Sequence, residues 1–429
     1  MAYWVHHATA RAPETVAVQG PERSLTYAEL SAAAVGAARG LEALGVRGGE
    51  RVGLALASGV DFVVALHACI LAGAAIVPID LRHSEQERAK RLGGAQLIVT
   101  QLPREGPPTM PSISQGDGDH VLAVMHTSGT TSDPKPVELT HANFLASALG
   151  SAVALGLDQS ERWLCPMPLT HVGGLSIPIR SAIYATTVVL HGRFDTEAVL
   201  EELMDPARRI TLVSLVPTML ARLLDAGLAH PPTLRWALLG GGPLAPALLE
   251  RAQAAGVPVA PTYGMTECCS QIATFGYPLP GVDVATSGGE IVVRGPIVAP
   301  RLTDERGWLT TGDLGRFDER SRLVITGRKA DTIITGGENV APTEVEDVLV
   351  AHPAVADAGV HARADAEWGE AIVAAVVLRD GAEVSVAELQ EHCAARLARF
   401  KVPKDVRFVA ALPRTTSGKL VRRQLQGTV

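Results

Sequence analysis

Two periods of apolar residues alternate along most of the chain. Residues 25–45 carry an Ala- and Leu-rich helical pattern opening with Leu25-Thr26-Tyr27-Ala28-Glu29-Leu30. Thr26 is placed to cap that helix, and Glu29, three residues on, completes a capping box. Gly45 ends it, and residues 51–56, Arg-Val-Gly-Leu-Ala-Leu, read as a buried strand. A second helix runs to Gly73, and a second strand, Ala-Ile-Val-Pro-Ile-Asp, covers 75–80. The alternation returns over 160–260, with strands predicted at 186–191, 210–214, 236–239 and 257–260 and helices between them. Such an order predicts parallel sheets covered by helices. From about 285 the pattern shortens to β runs between turns, as in Gly289-Glu290-Ile291-Val292-Val293-Arg294-Gly295. A boundary is expected near 327–331. Beyond it a strand pattern at 371–378 and a helix pattern at 386–397 suffice for a small α+β domain. The expected fold is therefore α/β. A large N-terminal domain, 1–328, has helix-covered, mostly parallel sheets plus a small β-rich section, and a C-terminal domain spans 329–429. The Pro- and Gly-containing stretch 103–118 is expected to be an exposed loop.

At 429 residues and 47% hydrophobic content the chain has ample material for more than one core. A net charge of −7 and no long basic run argue against a nucleic-acid partner. Apolar runs such as 62–77 are broken by His67 and Gly73 and read as buried elements, so no membrane partner is expected. Five cysteines, Cys69, Cys165, Cys268, Cys269 and Cys393, are odd in number and lack metal spacing, which predicts reduced thiols. The opening MAYWVHHATA has no basic stretch followed by a long apolar one, so a cytoplasmic protein is expected.

The densest chemistry lies at 127–137, Thr-Ser-Gly-Thr-Thr-Ser-Asp-Pro-Lys-Pro-Val, between the apolar run 121–125 and a helical segment starting near Thr140. Small residues let backbone N–H groups approach an anion, hydroxyls donate, and Lys135 supplies charge. Pro134 and Pro136 exclude a Walker A loop. Four clusters follow. Tyr263-Gly264-Met265-Thr266-Glu267 sets a hydroxyl and a carboxylate at a strand end, where Mg²⁺ with phosphate oxygens needs few protein ligands. Trp308-Leu309-Thr310-Thr311-Gly312-Asp313 puts an aspartate after a glycine turn, suited to two vicinal ribose hydroxyls. Gly327-Arg328-Lys329-Ala330-Asp331 leads into a Gly-rich segment, and Pro413-Arg414-Thr415-Thr416-Ser417-Gly418-Lys419 carries a lysine on a turn.

In order and combination these segments resemble the adenylate-forming superfamily of acyl- and aryl-CoA synthetases, adenylation domains and luciferases, over nearly the whole chain. The resemblance implies an ATP-dependent, AMP-forming ligase in which a carboxylate attacks the α-phosphate of Mg·ATP and a thiol, usually CoA, then displaces AMP. It implies that Thr127, Ser128, Gly129, Thr130, Thr131 and Lys135 hold the β- and γ-phosphates. Thr266 touches the α-phosphate and Glu267 the Mg²⁺. Asp313 and Arg328 hold the ribose, while Gly240, Gly241, Gly242, Tyr263 and Gly264 line the adenine and acyl sites. Lys419, on a mobile C-terminal domain hinged at Lys329–Ala330, bridges carboxylate and phosphate, where charge builds in the transition state. The chain departs from the family pattern in having Ser132 and Pro136 where glycines are usual, and Ala330 at the usual charged hinge position. Loops near 103–118 and 276–288 are short.

Pro168-Leu169-Thr170-His171-Val172-Gly173-Gly174 matches the family segment in which His171 gates the carboxylate. Stretches around 174–191, 217–221, 239–243 and 263–272 are similar to the o-succinylbenzoate:CoA ligases of menaquinone biosynthesis. That substrate is an aromatic acid with a second carboxylate, which needs donors in an otherwise apolar pocket. Arg180, Ser181, Ser214 and Thr218 are the candidates, alongside His171 and Gly264. Three alternatives stand beside this reading: a ligase for a simple benzoate or anthranilate, a free-standing enzyme loading a carrier protein, and a non-catalytic nucleotide binder. A homo-oligomer is also compatible with the sequence.

Overall fold

The computed structural model describes residues 3–103, 118–127, 135–415 and 420–425. Ser128, Gly129, Thr130, Thr131, Ser132 and Lys419 lie outside the described residues, as does most of the expected loop at 103–118.

A nine-stranded sheet runs in the spatial order Tyr277–Pro278, Ser270–Thr274, Val259–Met265, Trp236–Leu239, Leu212–Leu215, Arg162–Cys165, Thr187–Leu190, Val16–Gln19, Ser24–Thr26. Its six central strands, from Val259–Met265 to Val16–Gln19, are parallel, and antiparallel pairs close both ends. A second sheet orders Ala95–Val99, Arg51–Leu54, Ala75–Pro78, Val121–Thr127 and Lys135–Thr140, parallel except for the last pair. The helix Val60–Leu71 touches strands of both sheets and is buried at every residue but Asp61. With no face in water it needs no polar stripe, which explains its continuous apolar sequence.

Thr26 caps the helix Tyr27–Ala43 and exchanges hydrogen bonds with Glu29, as the sequence predicts. Thr140 and Asn143 form the same box at the start of His141–Leu155. Three elements differ from expectation. Residues 135–140, read as the end of a loop and a helix approach, form a strand paired with Val121–Thr127. Pro136 sits there opposite His126 on the outermost strand, where a missing ladder donor costs little. Val259–Met265 continues past the predicted end at 260, and Asp313 lies inside the strand Leu309–Phe317 rather than after a turn.

The β-rich section is a four-stranded antiparallel sheet, Asp283–Ser287, Glu290–Arg294, Leu309–Phe317, Leu323–Arg328. A single 3₁₀ turn, Lys329–Asp331, leads from it to a separate sheet built on the long pair Val355–Asp365 and Gly369–Leu378. The helices Pro342–Val350 and Val386–Ala394 cover this sheet, with a core of its own including Ile333, Val345, Leu349, Val360, Ile372, Val376 and Leu389. Arg422 closes the C-terminal end. Its guanidinium pairs with Glu346, donates to the Val360 carbonyl at 2.6 Å and reaches Asp331 Oδ2 at 3.2 Å. All five cysteines are free and buried. Burial pushes the Cys69, Cys165 and Cys269 thiols up to about 12 and Cys393 to about 11. Among the described residues no helix is long and apolar enough to cross a membrane.

Candidate active site at the carboxyl ends of the parallel strands

Parallel strands deliver their carboxyl ends to one side of a sheet, and Gly240–Gly242 and Thr266–Glu267 directly follow such strands. Gly240-Gly241-Gly242 follows Trp236–Leu239. A Cβ on Gly240 would lie 2.9 Å from the Thr262 carbonyl oxygen, and Gly241 has φ +80°, so neither position accommodates an ordinary side chain. At Gly264 the constraint is absolute, since a Cβ would fall 1.7 Å from the Ser270 carbonyl oxygen. The strand pair is bulged between Tyr263 and Gly264.

The Tyr263 hydroxyl donates to Asp313 Oδ2 at 2.8 Å, and Arg328 Nε donates to Asp313 Oδ1 at 2.8 Å. Asp313 and Arg328 are cross-strand partners, so the sheet register itself sets this pair. Burial, reinforced by the Asp313 carboxylate, raises the Tyr263 phenol above its ordinary value and keeps it a donor. Behind Asp313 its own N–H donates to Thr311 Oγ1 at 3.1 Å, and Thr311 donates to the Ile291 carbonyl at 2.8 Å. Gly312, at φ +75°, donates its N–H to Glu290 Oε1 at 3.1 Å. Lys329 Nζ donates to Glu290 Oε2 at 2.9 Å. Tyr263, Asp313 and Arg328 are thus brought together. Thr311, Glu290 and Lys329 were missed as contributors. Only pairing the strands Glu290–Arg294 and Leu309–Phe317 from their alternation would have exposed the Glu290 contact.

Thr266 and Glu267 occupy the 3₁₀ turn Thr266–Cys268 directly after Val259–Met265. The turn is pinned at both residues. Cys269 N–H donates to the Thr266 carbonyl at 3.1 Å and Ala299 N–H to the Glu267 carbonyl at 2.8 Å. Both side chains are half-buried, and among the described residues no hydrogen bond or ion pair engages the Glu267 carboxylate. No group of three or more His, Cys, Asp or Glu side chains able to hold a metal occurs among those residues. One free carboxylate suits Mg²⁺, which keeps water and substrate phosphate oxygens as most of its ligands. Thr127 and Lys135 are cross-strand partners at the ends of adjacent antiparallel strands.

Most of the residues expected on the acid side lie on or beside the helix Val172–Tyr184. His171 is its N-cap residue, and the His171 carbonyl accepts from Leu175 N–H at 2.9 Å. Burial lowers the imidazole below its usual range, so it is neutral at physiological pH, and its buried Nε2 has no partner among the described residues. Arg180, two turns further along, is 2% exposed. Its Nη2 donates to Ser147 Oγ at 3.0 Å and its Cζ lies 5.7 Å from the Trp163 ring centroid. Its Nε is buried without a partner, and no carboxylate pairs with it among the described residues. Trp163 Nε1 in turn donates to Ser214 Oγ at 2.9 Å. Arg180 and Ser214 therefore flank one ring. Ser181 Oγ is buried with no partner among the described residues, whereas half-buried Thr218 lies on the helix Pro217–Asp225 and bonds to none of these groups.

The fold and this strand-end site define a nucleotide-handling α/β enzyme, and the chain belongs to the AMP-binding enzyme family. Residues 5–303 match the AMP-binding enzyme domain and residues 344–419 the AMP-binding enzyme C-terminal domain. It is 38% identical to the 2-succinylbenzoate–CoA ligase of Bacillus licheniformis, over 98% of each chain. Among solved structures it resembles the o-succinylbenzoate CoA synthetase of Bacillus subtilis in complex with the acyl-adenylate intermediate (TM-score 0.90, 36% identity, 99% of this chain and 97% of that one). The same enzyme in complex with ATP and a magnesium ion gives a TM-score of 0.89 at 36% identity, over 99% of both chains.

Proposed function

We propose that this chain is an ATP-dependent, AMP-forming acid:CoA ligase that activates o-succinylbenzoate to its acyl-adenylate and passes the acyl group to CoA, a step of menaquinone biosynthesis in the cytoplasm. Full-length relatives of that name support the reaction class. The observation favouring this acid is Arg180. A guanidinium stays charged in proteins, and leaving it buried with one hydrogen bond and no counter-ion among the described residues is costly. A second carboxylate on the substrate supplies the missing charge, and a simple benzoate does not. In this reading Ser181, Ser214 and Thr218 are further donors for that carboxylate.

In this reading the neutral His171 stands at the entrance for the reacting carboxylate. Gly240–Gly242, Tyr263 and Gly264 form the bare backbone wall for adenine and the aryl ring. Asp313 accepts from the ribose hydroxyls, held in place by Tyr263 and Arg328. Thr266 faces the α-phosphate. Ser128, Gly129, Thr130 and Thr131, between Thr127 and Lys135, take the outer phosphates, and Glu267 holds Mg²⁺, which neutralises phosphate charge when bound. Lys419 brings a cation to the carboxylate and α-phosphate oxygens. The division 1–328 and 329–429, hinged at Lys329–Ala330, lets that lysine leave so that the thiol can enter.

The test is ATP- and CoA-dependent pyrophosphate release with o-succinylbenzoate, benzoate, anthranilate and salicylate, with mass detection of the thioester. Strong preference for o-succinylbenzoate is expected. Arg180→Met should lower its kcat/KM about 100-fold, the scale of a lost buried charge pair, while sparing any residual benzoate activity. Preference for benzoate would overturn the choice of acid, and adenylate without thioester would move the acceptor from CoA to a carrier protein.

A further inference from the structure

Glu290 joins two parts of the molecule that have separate tasks. Its side chain is 12% exposed, and each carboxylate oxygen has one partner. Oε1 accepts from the Gly312 N–H at 3.1 Å, which holds the positive-φ strand residue that precedes Asp313. Oε2 accepts from Lys329 Nζ at 2.9 Å. Lys329 opens the 3₁₀ turn Lys329–Asp331 between the four-stranded sheet and the C-terminal sheet. One rigid carboxylate thus spans the ribose-facing aspartate and the linker to residues 329–429. At the other end of the turn Asp331 meets Arg422.

We propose that Glu290 is a positioning residue that latches the linker to the ribose site through Lys329. The proposal rests on the ligase reading above, in which residues 329–429 must change orientation between adenylation and thioester formation. The latch is closed in an arrangement that matches relatives bound to ATP and to acyl-adenylate over the full chain. It therefore favours the adenylation arrangement and must open before the thiol step. Nucleotide in the ribose site orders Asp313 and Gly312, Gly312 orders Glu290, and Glu290 holds Lys329. Lys329 is 66% exposed, and a pair so open to water is weak, as a contact broken in every turnover has to be. Ala330 contributes no charge of its own at the position where the superfamily usually has one, which leaves Lys329 as the charged group tying this turn to the N-terminal side.

Two measurements test the latch. The first uses hydrogen–deuterium exchange of the amides at 329–335 with and without AMP, which needs no acid and stands whatever the substrate proves to be. AMP should protect these amides in the wild type and in Lys329→Arg, but not in Lys329→Met or Glu290→Gln. Protection around Tyr263 and Asp313 should persist in Lys329→Met. The second compares half-reactions with the acid the wild type prefers. Lys329→Met should slow adenylation about two- to fivefold, in line with a weak exposed pair, and leave thioester formation from supplied acyl-adenylate equal or faster. The double variant should behave like either single one, because both remove the same contact. Hinge protection by AMP in Lys329→Met equal to wild type, or equal loss in both half-reactions, would overturn the proposal. A wild type that ignores o-succinylbenzoate would overturn the choice of acid and leave the exchange result intact.

Discussion

Asp313 is the residue on which most of the local chemistry converges, and its environment shows what sequence can and cannot reveal. The aspartate, Tyr263 and Arg328 are all visible in the chain as parts of short motifs. Their mutual contact is visible only once the Leu309–Phe317 and Leu323–Arg328 strands are in register. The Tyr263 hydroxyl holds one carboxylate oxygen, so Tyr263→Phe removes a single charge-assisted hydrogen bond. A loss of about 1.5–3 kcal/mol corresponds to a rise in the KM for ATP of roughly 10- to 100-fold. Steady-state kinetics at saturating acid should show this with a smaller change in kcat. An unaltered KM would mean that the phenol does not orient Asp313. Arg180 is the opposite case. Its identity and helical placement can be read from sequence, but its isolation from any carboxylate among the described residues is a property of packing alone.

Among the elements, helices announced themselves through caps and strands through apolar runs. Thr26 with Glu29 and Thr140 with Asn143 are local signals that tertiary structure had no reason to override. The strand Lys135–Thr140 was hidden because its first residues, Lys135 and Pro136, are polar or unable to donate, which only an outermost strand tolerates. The C-terminal element Arg422–Leu425 was not legible either. It is four residues long and held by the ion pairs of Arg422 with Glu346 and Asp331. Arg422→Ala would strand the buried Glu346 carboxylate, at a cost of about 3–5 kcal/mol. Differential scanning calorimetry should place that loss in a transition belonging to residues beyond 329, with the main transition hardly moved. A uniform downward shift of all unfolding would show that the two cores do not melt separately.

For the whole molecule, acid sensitivity follows from histidines held neutral. Burial pushes His67, His126 and His141 down to about 4, against about 6.5 for an exposed imidazole. Between those values the unfolded chain binds protons that the native state refuses. Stability therefore falls as pH drops from about 6.5 to 4, and these groups contribute no slope above that window. His67 and His141 are both almost fully buried, and each accounts for on the order of 3 kcal/mol by pH 4. Urea midpoints should decline steadily from pH 6.5 to 4.5 and stay level from 7 to 8. A flat midpoint across the acid range would show that these rings accept protons in the native state. The five thiols bear on the whole molecule in another way. All are buried, and burial pushes their thiols up, so maleimides should label the native protein poorly. Two surface cysteines, introduced on either side of the Lys329–Asp331 turn, can carry a donor and an acceptor dye without first removing any native one. The swing proposed for the C-terminal part could then be timed in single molecules of otherwise unaltered enzyme.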